Sequence, residues 1–365
     1  MTMLDIKENI PLALHTSFRI GGPARYYAEI TTVDDIRQAL EFSHEHNLPY
    51  LLLGGGSNML ISDAGYPGLV MHIVPKGMKV IKSGASQVEL KVGAGEVWDD
   101  VVAFAVLHNL WGIENLSYIP GLAGGLPVQN VGAYGQEASQ VINEIFAFDT
   151  LSGKAVTISR AECGFSYRQS IFNTTEKNRY IILNITLSLS SKPRPNLGYK
   201  DVAQRLDPGV VDLNVIRQTI IDIRDKKLPH PKDIGSAGSF FKNLELSAVD
   251  YKIFEKKVAE RFSQEILKAL RAIARPAGGN IKVPTAFVID KLLGYKGASV
   301  GEARIYQEQA LVIINHSGRA KAKDVLELFK KIRIKAKTEF DIEIKPEPNL
   351  IGFSEQELEY YFAFN

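Results

Sequence analysis

Hydrophobic positions along the chain fall into short blocks that switch between the strand period and the helix period. Arg25–Ile30 reads as a strand. Thr32 offers a helix cap with Asp35 three residues on in the reciprocal position, and Val33, Ile36 and Leu40 recur along an apolar helix face. Asn47-Leu48-Pro49 ends that helix and Tyr50–Leu53 is a buried strand, so this segment predicts a strand, helix, strand unit with a right-handed crossover. Val80–Val92 predicts a hairpin turning at Lys82–Ser86. Val97, Val101, Phe104, Ala105 and His108 then recur at helical spacing, with His108 read as a partner for the C-terminal dipole. Val141–Asp149, Gly153–Ile158 and Tyr180–Leu189 alternate as strands. Lys192–Pro195 is a stiff connection and a candidate domain boundary. Beyond it the pattern is mostly helical: Val215–Lys226, Ser247–Ala274, Thr285–Leu293, and a helix capped by Asp324 whose apolar face is Val325, Leu328, Phe329 and Ile332. Ala310–Asn315 and Phe340–Ile344 predict strands, and Arg275–Asn280 a loop.

Three loops break the pattern. Ile119–Gly135 holds five glycines and two prolines but no Lys, Arg, Asp or Glu. Loops in water are usually more polar. Two readings stand: a buried turn cluster, or a backbone that comes close to a large ligand because glycine has no Cβ. Gly54-Gly55-Gly56-Ser57-Asn58 follows a strand, and its consecutive N–H groups suit either a flexible turn or a nest for phosphate oxygens. The spacing matches neither the dinucleotide fingerprint nor a Walker loop. In Gly235–Asn243, small residues put Ser239 directly before Phe240 and Phe241, which marks either a turn into a buried strand or a hydroxyl held rigidly against a ligand. Two charged positions stand out besides. Arg168 follows Tyr167 in a polar break between strands, as a surface pair or as a fixed, always-charged donor fork. Glu347 lies between Pro346 and Pro348, as a polar strand end or as a rigidly held carboxylate.

Composition narrows the class. The 365 residues suffice for two or three domains, and 45% hydrophobic with 23% charged residues is ordinary for a globular protein. Lys+Arg at 43 against Asp+Glu at 41 argues against nucleic-acid binding by bulk electrostatics. The lysines of Lys321–Lys337 interleave with an apolar face and read as a solvated helix surface. Cys163 is the single cysteine, so no disulfide forms within the chain and a reducing compartment fits. No signal peptide and no membrane span is expected.

Taken in order, Thr16–Gly22, Leu53–Asn58, Ile119–Gly135, Tyr167–Phe172, Ala237–Asn243, Gln309–Asn315 and Pro346-Glu347 resemble the UDP-N-acetylenolpyruvoylglucosamine reductases, the MurB family. The Gly198-Tyr199 loop and the added sequence between Asn243 and Ala310 resemble its longer, type I form. The resemblance implies an α+β protein: an FAD-binding fold of the PCMH/vanillyl-alcohol-oxidase type plus a separate α+β substrate-binding domain. The expected division is 1–78 with 338–365 as one FAD subdomain, 79–195 as the second (the PCMH-type region about 17–193), and 196–337 as the substrate domain. It implies NADPH-dependent reduction, through FAD, of UDP-N-acetylglucosamine enolpyruvate to UDP-N-acetylmuramate for the cell wall. FAD is expected to be non-covalent, since no His or Cys stands placed to attach it, and no metal enters this reading. A cytoplasmic monomer is expected.

By the same resemblance, Arg168 stabilises the enolate, Glu347 orients or polarises the same group, and Ser239 donates the proton to C2. FAD contacts are expected at Gly54, Gly55, Gly56, Ser57 and Asn58 for the diphosphate, and at Ile119, Pro120, Gly121, Gln129, Asn130, Gly132, Ala133 and Tyr134 for the ring system, with Arg224 added. Tyr167, Tyr199, Lys227, Asn243 and Lys282 fall at substrate-contacting positions. Asn349 departs from the family, which often has an arginine there, so a flavin contact is not expected from it. Two competing classes are an alcohol oxidase of the same flavin superfamily and a non-catalytic UDP-sugar binder.

Overall fold

The computed structural model describes residues 3–206, 209, 212–230 and 232–364. The chain forms two compact units, one from Met1–Ile10, Ala24–Gly56 and Pro67–Lys226, the other from Pro11–Pro23, Ser57–Tyr66 and Lys227–Asn365.

In unit 1 a four-stranded sheet runs in the order Ile6–Pro11, Pro23–Ile30, Tyr66–Ile73, Tyr50–Leu53. Helix Val33–Glu45 begins with the expected reciprocal cap, the Asp35 amide donating to Thr32 Oγ1 and the Asp35 carboxylate accepting from the Thr32 amide. The two strands flanking this helix are not neighbours: Tyr66–Ile73 lies between them and pairs in parallel with Tyr50–Leu53. A second, five-stranded antiparallel sheet runs Lys154–Ser159, Ile142–Asp149, Tyr180–Ser190, Gln87–Gly93, Met78–Ser83. The expected hairpin turn is present, closed by the Gly84 amide on the Gln87 carbonyl. Both sheets and helix Trp98–Leu107 share one apolar core with Ala28, Met71, Trp98, Ile145 and Ile185 fully buried. His108 closes that helix, its Nδ1 donating to the Phe104 carbonyl at 2.8 Å and its ring stacked on Phe104, as a helix-end histidine should.

Compactness does not change at Lys192–Pro195. The described residues of 196–226 pack in unit 1, where Leu213 and Ile216, on helix Leu213–Lys227, join its core. Arg217 on the same helix makes a two-pronged ion pair with Asp99, at 2.7 and 2.8 Å.

Unit 2 holds an antiparallel sheet in the order Gly235–Ser239, Val312–Asn315, Ala303–Ile305, Ser299–Val300, and a three-stranded one of Leu244–Leu246, Asn280–Val283 and Arg275–Ala277. Asn349–Ile351 pairs in parallel with Met59–Ile61. The stretch Ser247–Ala274 is two helices, Ala248–Arg261 and Gln264–Ile273: Phe262 is extended to pack on Phe340, and Ser263 caps the second helix. Arg275–Asn280 is no simple loop, since Gly278 and Gly279 take left-handed conformations and fold it into a hairpin. Phe340–Ile344 is not a strand either. Helix Ala322–Phe340 ends at Asp341 with φ 58°, and the alternating burial of Ile342 and Ile344 arises in an extended segment outside any ladder. Part of that segment is held by Arg333, 1% exposed, whose Nε donates to the Ile344 carbonyl at 3.2 Å. Among the described residues no helix is long and apolar enough to cross a membrane.

Candidate active site

Within unit 1 the two glycine loops meet. A Cβ on Gly55 would lie 2.7 Å from the Cα of Gly121 and 2.9 Å from the amide nitrogen of Leu122, so the backbones touch directly. At Gly54, in contrast, a Cβ would meet nothing within 4 Å. The Ile119–Gly135 loop is anchored on its inner side: the Trp98 amide donates to the Gly121 carbonyl, and the Ala123 and Gly124 amides donate to Glu96 and Ala94. It makes one 3-10 turn at Ala123–Gly125 and a small hairpin, Gly132–Ala133 with Gln136–Glu137. Most of this uncharged loop is half-buried, not fully buried as expected, and only Ala123, Leu126, Pro127 and Asn130 are buried.

Arg168 comes to this loop. It is half-buried, its Nη2 donates to the Gly132 carbonyl at 2.8 Å and its Nη1 to that of Asn130 at 3.4 Å. Its guanidinium also lies 5.6 Å from the ring centre of Tyr167, which is 51% exposed. Arg224 donates to the carbonyl of Tyr118, just before the loop, at 3.0 Å. Burial lowers its pKa, opposed by Tyr134 and Asp99. Tyr199 stacks edge-on against Tyr134 at 5.2 Å. Tyr118, Asn130, Tyr134 and Arg168 all have left-handed backbones, with φ of 61°, 43°, 47° and 55°. Four such residues around one loop mark a backbone held in place by its surroundings.

Unit 2 assembles a different set. The Phe240 carbonyl accepts the Glu347 amide at 2.8 Å, the Lys242 amide donates to the Lys345 carbonyl, and Phe241 bridges to Pro346. Ser239 and Glu347 are thus one residue and one main-chain hydrogen bond apart. Phe240 and Phe241, each 1% exposed, pack on Phe329 and lock this junction. Ser239 and Glu347 themselves are half-buried. Asn243 lies nearby in sequence, its Oδ1 accepting the Thr285 amide at 3.2 Å. Lys282 is on the central strand of the three-stranded sheet, opposite Glu245 and Arg275. Lys227 ends helix Leu213–Lys227. Asn349 donates to the Asn58 carbonyl from its amide, 3.0 Å, and from its side chain, 3.5 Å.

Two networks escape a reading of the sequence. Asp99 accepts from Arg217 and from the Tyr118 amide, and these bonds depress its pKa against the opposing effect of burial. Arg217 and Arg224 are two helical turns apart, the one spacing that could have flagged them. Glu114 is fully buried and its pKa is raised by burial, with the Gly112 amide and Gln136 offsetting this only in part. Neighbouring Asn115 donates to the carbonyls of Tyr134 and Asn196, and its own Oδ1 has no partner among the described residues. A cavity of about 430 Å³ in unit 1, lined by Trp111, Gln136, Gln140, Arg160, Arg194 and others, includes none of the site residues expected from the sequence. The open, uncharged backbone of the loops is the better cofactor candidate.

The donor chemistry suits FAD. A diphosphate calls for main-chain N–H groups without nearby carboxylates, and Gly54–Asn58 and Ile119–Gly135 contain none. The space outside Gly54 would be filled by a side chain at any other residue. Together the fold and these loops define an FAD-binding oxidoreductase, and residues 24–159 match the family described as FAD binding domain. Residues 230–351 match the C-terminal domain of UDP-N-acetylenolpyruvoylglucosamine reductase. Similar proteins of that name occur in Amoebophilus asiaticus (35% identical, covering 95% of this chain and 100% of the relative), Streptomyces coelicolor (37%, 96% and 92%) and Pseudomonas aeruginosa (36%, 95% and 99%). The crystal structure of the MurB enzyme from Thermus caldophilus shares the fold, with a TM-score of 0.63 at 24% identity over 95% of this chain and 98% of that one. The chain belongs to the UDP-N-acetylenolpyruvoylglucosamine reductase family.

Proposed function

We propose that this protein reduces UDP-N-acetylglucosamine enolpyruvate to UDP-N-acetylmuramate, with FAD held non-covalently and NADPH as reductant, as a step of peptidoglycan synthesis. The observation that most supports the assignment of roles is the junction that ties Ser239 to Glu347 through the Phe240 carbonyl. FAD, when bound, would supply the hydride-transfer chemistry between NADPH and the enolpyruvyl sugar. Addition at the vinyl C3 leaves negative charge at C2, delocalised into the substrate carboxylate, and that charge needs positive donors already in place. Arg168 meets the need: its guanidinium stays charged and its fork is oriented by the Gly132 and Asn130 carbonyls. Ser239 Oγ gives its proton to C2. A serine hydroxyl is a weak acid, but the carbon is strongly basic and the strand end holds the donor rigidly. Glu347 orients or polarises the same carboxylate region. Tyr167, Tyr199, Lys227, Asn243 and Lys282 bind the UDP-sugar. Gly54–Asn58 holds the FAD diphosphate, and Ile119, Pro120, Gly121, Gln129, Gly132, Ala133 and Tyr134 the ring system, with Arg224 as a further FAD contact. The enzyme works as a monomer in the cytoplasm, where a reducing compartment suits a chain with the single cysteine Cys163.

The test is an absorbance experiment. Purified protein is expected to be yellow, to bleach with NADPH, and to regain its colour when the enolpyruvyl sugar is added without oxygen. Protein that cannot be reconstituted with FAD, or whose reduced flavin ignores the sugar, would falsify the assignment.

A further inference from the structure

Asn130 is among the residues expected to touch the cofactor, yet its side chain is occupied elsewhere. It is 2% exposed. Nδ2 donates to Glu137 Oε2 at 3.0 Å and to the Ser166 carbonyl at 3.0 Å, while Oδ1 accepts the Ser139 amide at 2.9 Å. A carboxamide has two N–H donors, so neither remains for a ligand. Ser166 opens the turn that carries Tyr167 and Arg168, and this turn is closed by reciprocal main-chain bonds between Ser166 and Gln169. The side chain of Asn130 therefore fastens the base of the turn. Its carbonyl, with that of Gly132, receives the guanidinium at the tip. Ser170 adds a second tie, its hydroxyl donating to the Val128 carbonyl at 2.7 Å.

We infer that Asn130 is a positioning residue for Arg168: together with Glu137 it locks the Tyr167-Arg168 turn onto the cofactor loop, so that the guanidinium stands at one fixed place for the substrate carboxylate. This rests on the role given to Arg168 above. The left-handed backbone at Asn130, φ 43°, is one that Asn and Asp tolerate better than other side chains. N130D thus keeps the backbone, sets a second carboxylate against Glu137, and leaves the Ser166 carbonyl without its donor. E137Q in the same chain restores a donor and acceptor pair with its polarity reversed.

Three quantities separate this role from cofactor contact: the FAD dissociation constant of the deflavinated protein, the rate of flavin reduction by NADPH, and the rate of reoxidation by the enolpyruvyl sugar. N130D is expected to slow reoxidation about 100-fold, the cost of roughly 1 Å of misplacement. FAD affinity and the reduction rate should stay at the wild-type level. N130D/E137Q should recover about tenfold of the loss, as coupled neighbours do. If N130D does not fold, N130G removes the side chain, takes the same left-handed backbone without steric strain, and is read in the same way. A fall in FAD affinity together with both rates would make Asn130 a cofactor contact and overturn the inference, as would an unchanged reoxidation rate. Failure of the functional reading looks different: wild-type flavin would not be reoxidised by the sugar, while the FAD titration would still report on Asn130.

Discussion

The Ile119–Gly135 loop and the Ser239–Glu347 junction do opposite things with the same chain. The loop offers backbone: it lacks charge, touches Gly55 without any intervening side chain, and borrows Arg168 from a neighbouring turn. The junction offers side chains: a hydroxyl and a carboxylate on two extended segments, fixed by main-chain bonds and by buried phenylalanines beneath. A large planar cofactor is best held by removing side chains, and a small reacting centre by aiming them. The contrast predicts that substitutions in the loop damage binding, whereas substitutions at the junction damage turnover.

The largest effect should come from the junction. S239A is expected to reduce kcat by about 10²–10⁴-fold, the usual worth of a positioned proton donor, with substrate affinity and flavin reduction by NADPH little changed. Rapid-mixing kinetics decide it. Unchanged turnover would remove Ser239 from the chemistry and dissolve the contrast.

Next comes the loop. In G55A the added methyl meets backbone at 2.7 Å, which cannot move aside as a flexible side chain could. A loss of about 3 kcal/mol is expected from overpacking, with protein purified largely without flavin. A wild-type melting temperature would show that the two loops do not pack as described.

Much of this contrast was legible in the sequence, because it rests on composition. Seventeen residues with five glycines and no formal charge are conspicuous in any reading, and so is Ser239 ahead of two aromatics. What was not legible depends on where buried groups find partners. Ile342 and Ile344 alternate as a strand would, but their segment gets one of its hydrogen bonds from the Arg333 side chain, not from a sheet. Nothing in the sequence shows that Glu137, Ser139 and Ser166 take up the carboxamide of Asn130. Gly278 and Gly279 read as loop, although their left-handed backbone is what turns a hairpin. The segment 196–226 reads as the start of a new domain, yet the Asp99–Arg217 pair and two buried aliphatics keep it with unit 1.

That ion pair gives a smaller effect, with a pH signature. The Asp99 carboxyl is depressed below its unfolded value of about 3.9, so its contribution is present above that pH and is lost as pH falls through the folded pKa. D99N is expected to destabilise unit 1 by about 2 kcal/mol at pH 7, since a charge-assisted pair is lost. The difference from wild type should shrink steadily below about pH 4. Urea unfolding at several pH values measures it. A difference independent of pH would mean that the charge contributes nothing and only packing holds the helix.

The smallest effect on the protein alone separates the two glycines of one loop. At Gly54 a methyl meets no protein atom within 4 Å, and its backbone is not among the left-handed ones. G54A should therefore leave the stability of the flavin-free protein within about 0.5 kcal/mol of wild type, as for an open surface position. If the space outside Gly54 is where the FAD diphosphate lies, the same methyl should weaken FAD binding by about tenfold, roughly 1.4 kcal/mol. Calorimetry on the flavin-free protein and fluorescence titration with FAD give the two numbers. Weak binding with normal stability assigns the space to the cofactor. Normal binding would move the diphosphate away from Gly54, and the role of the triple glycine would shrink to the close packing of Gly55 on Gly121.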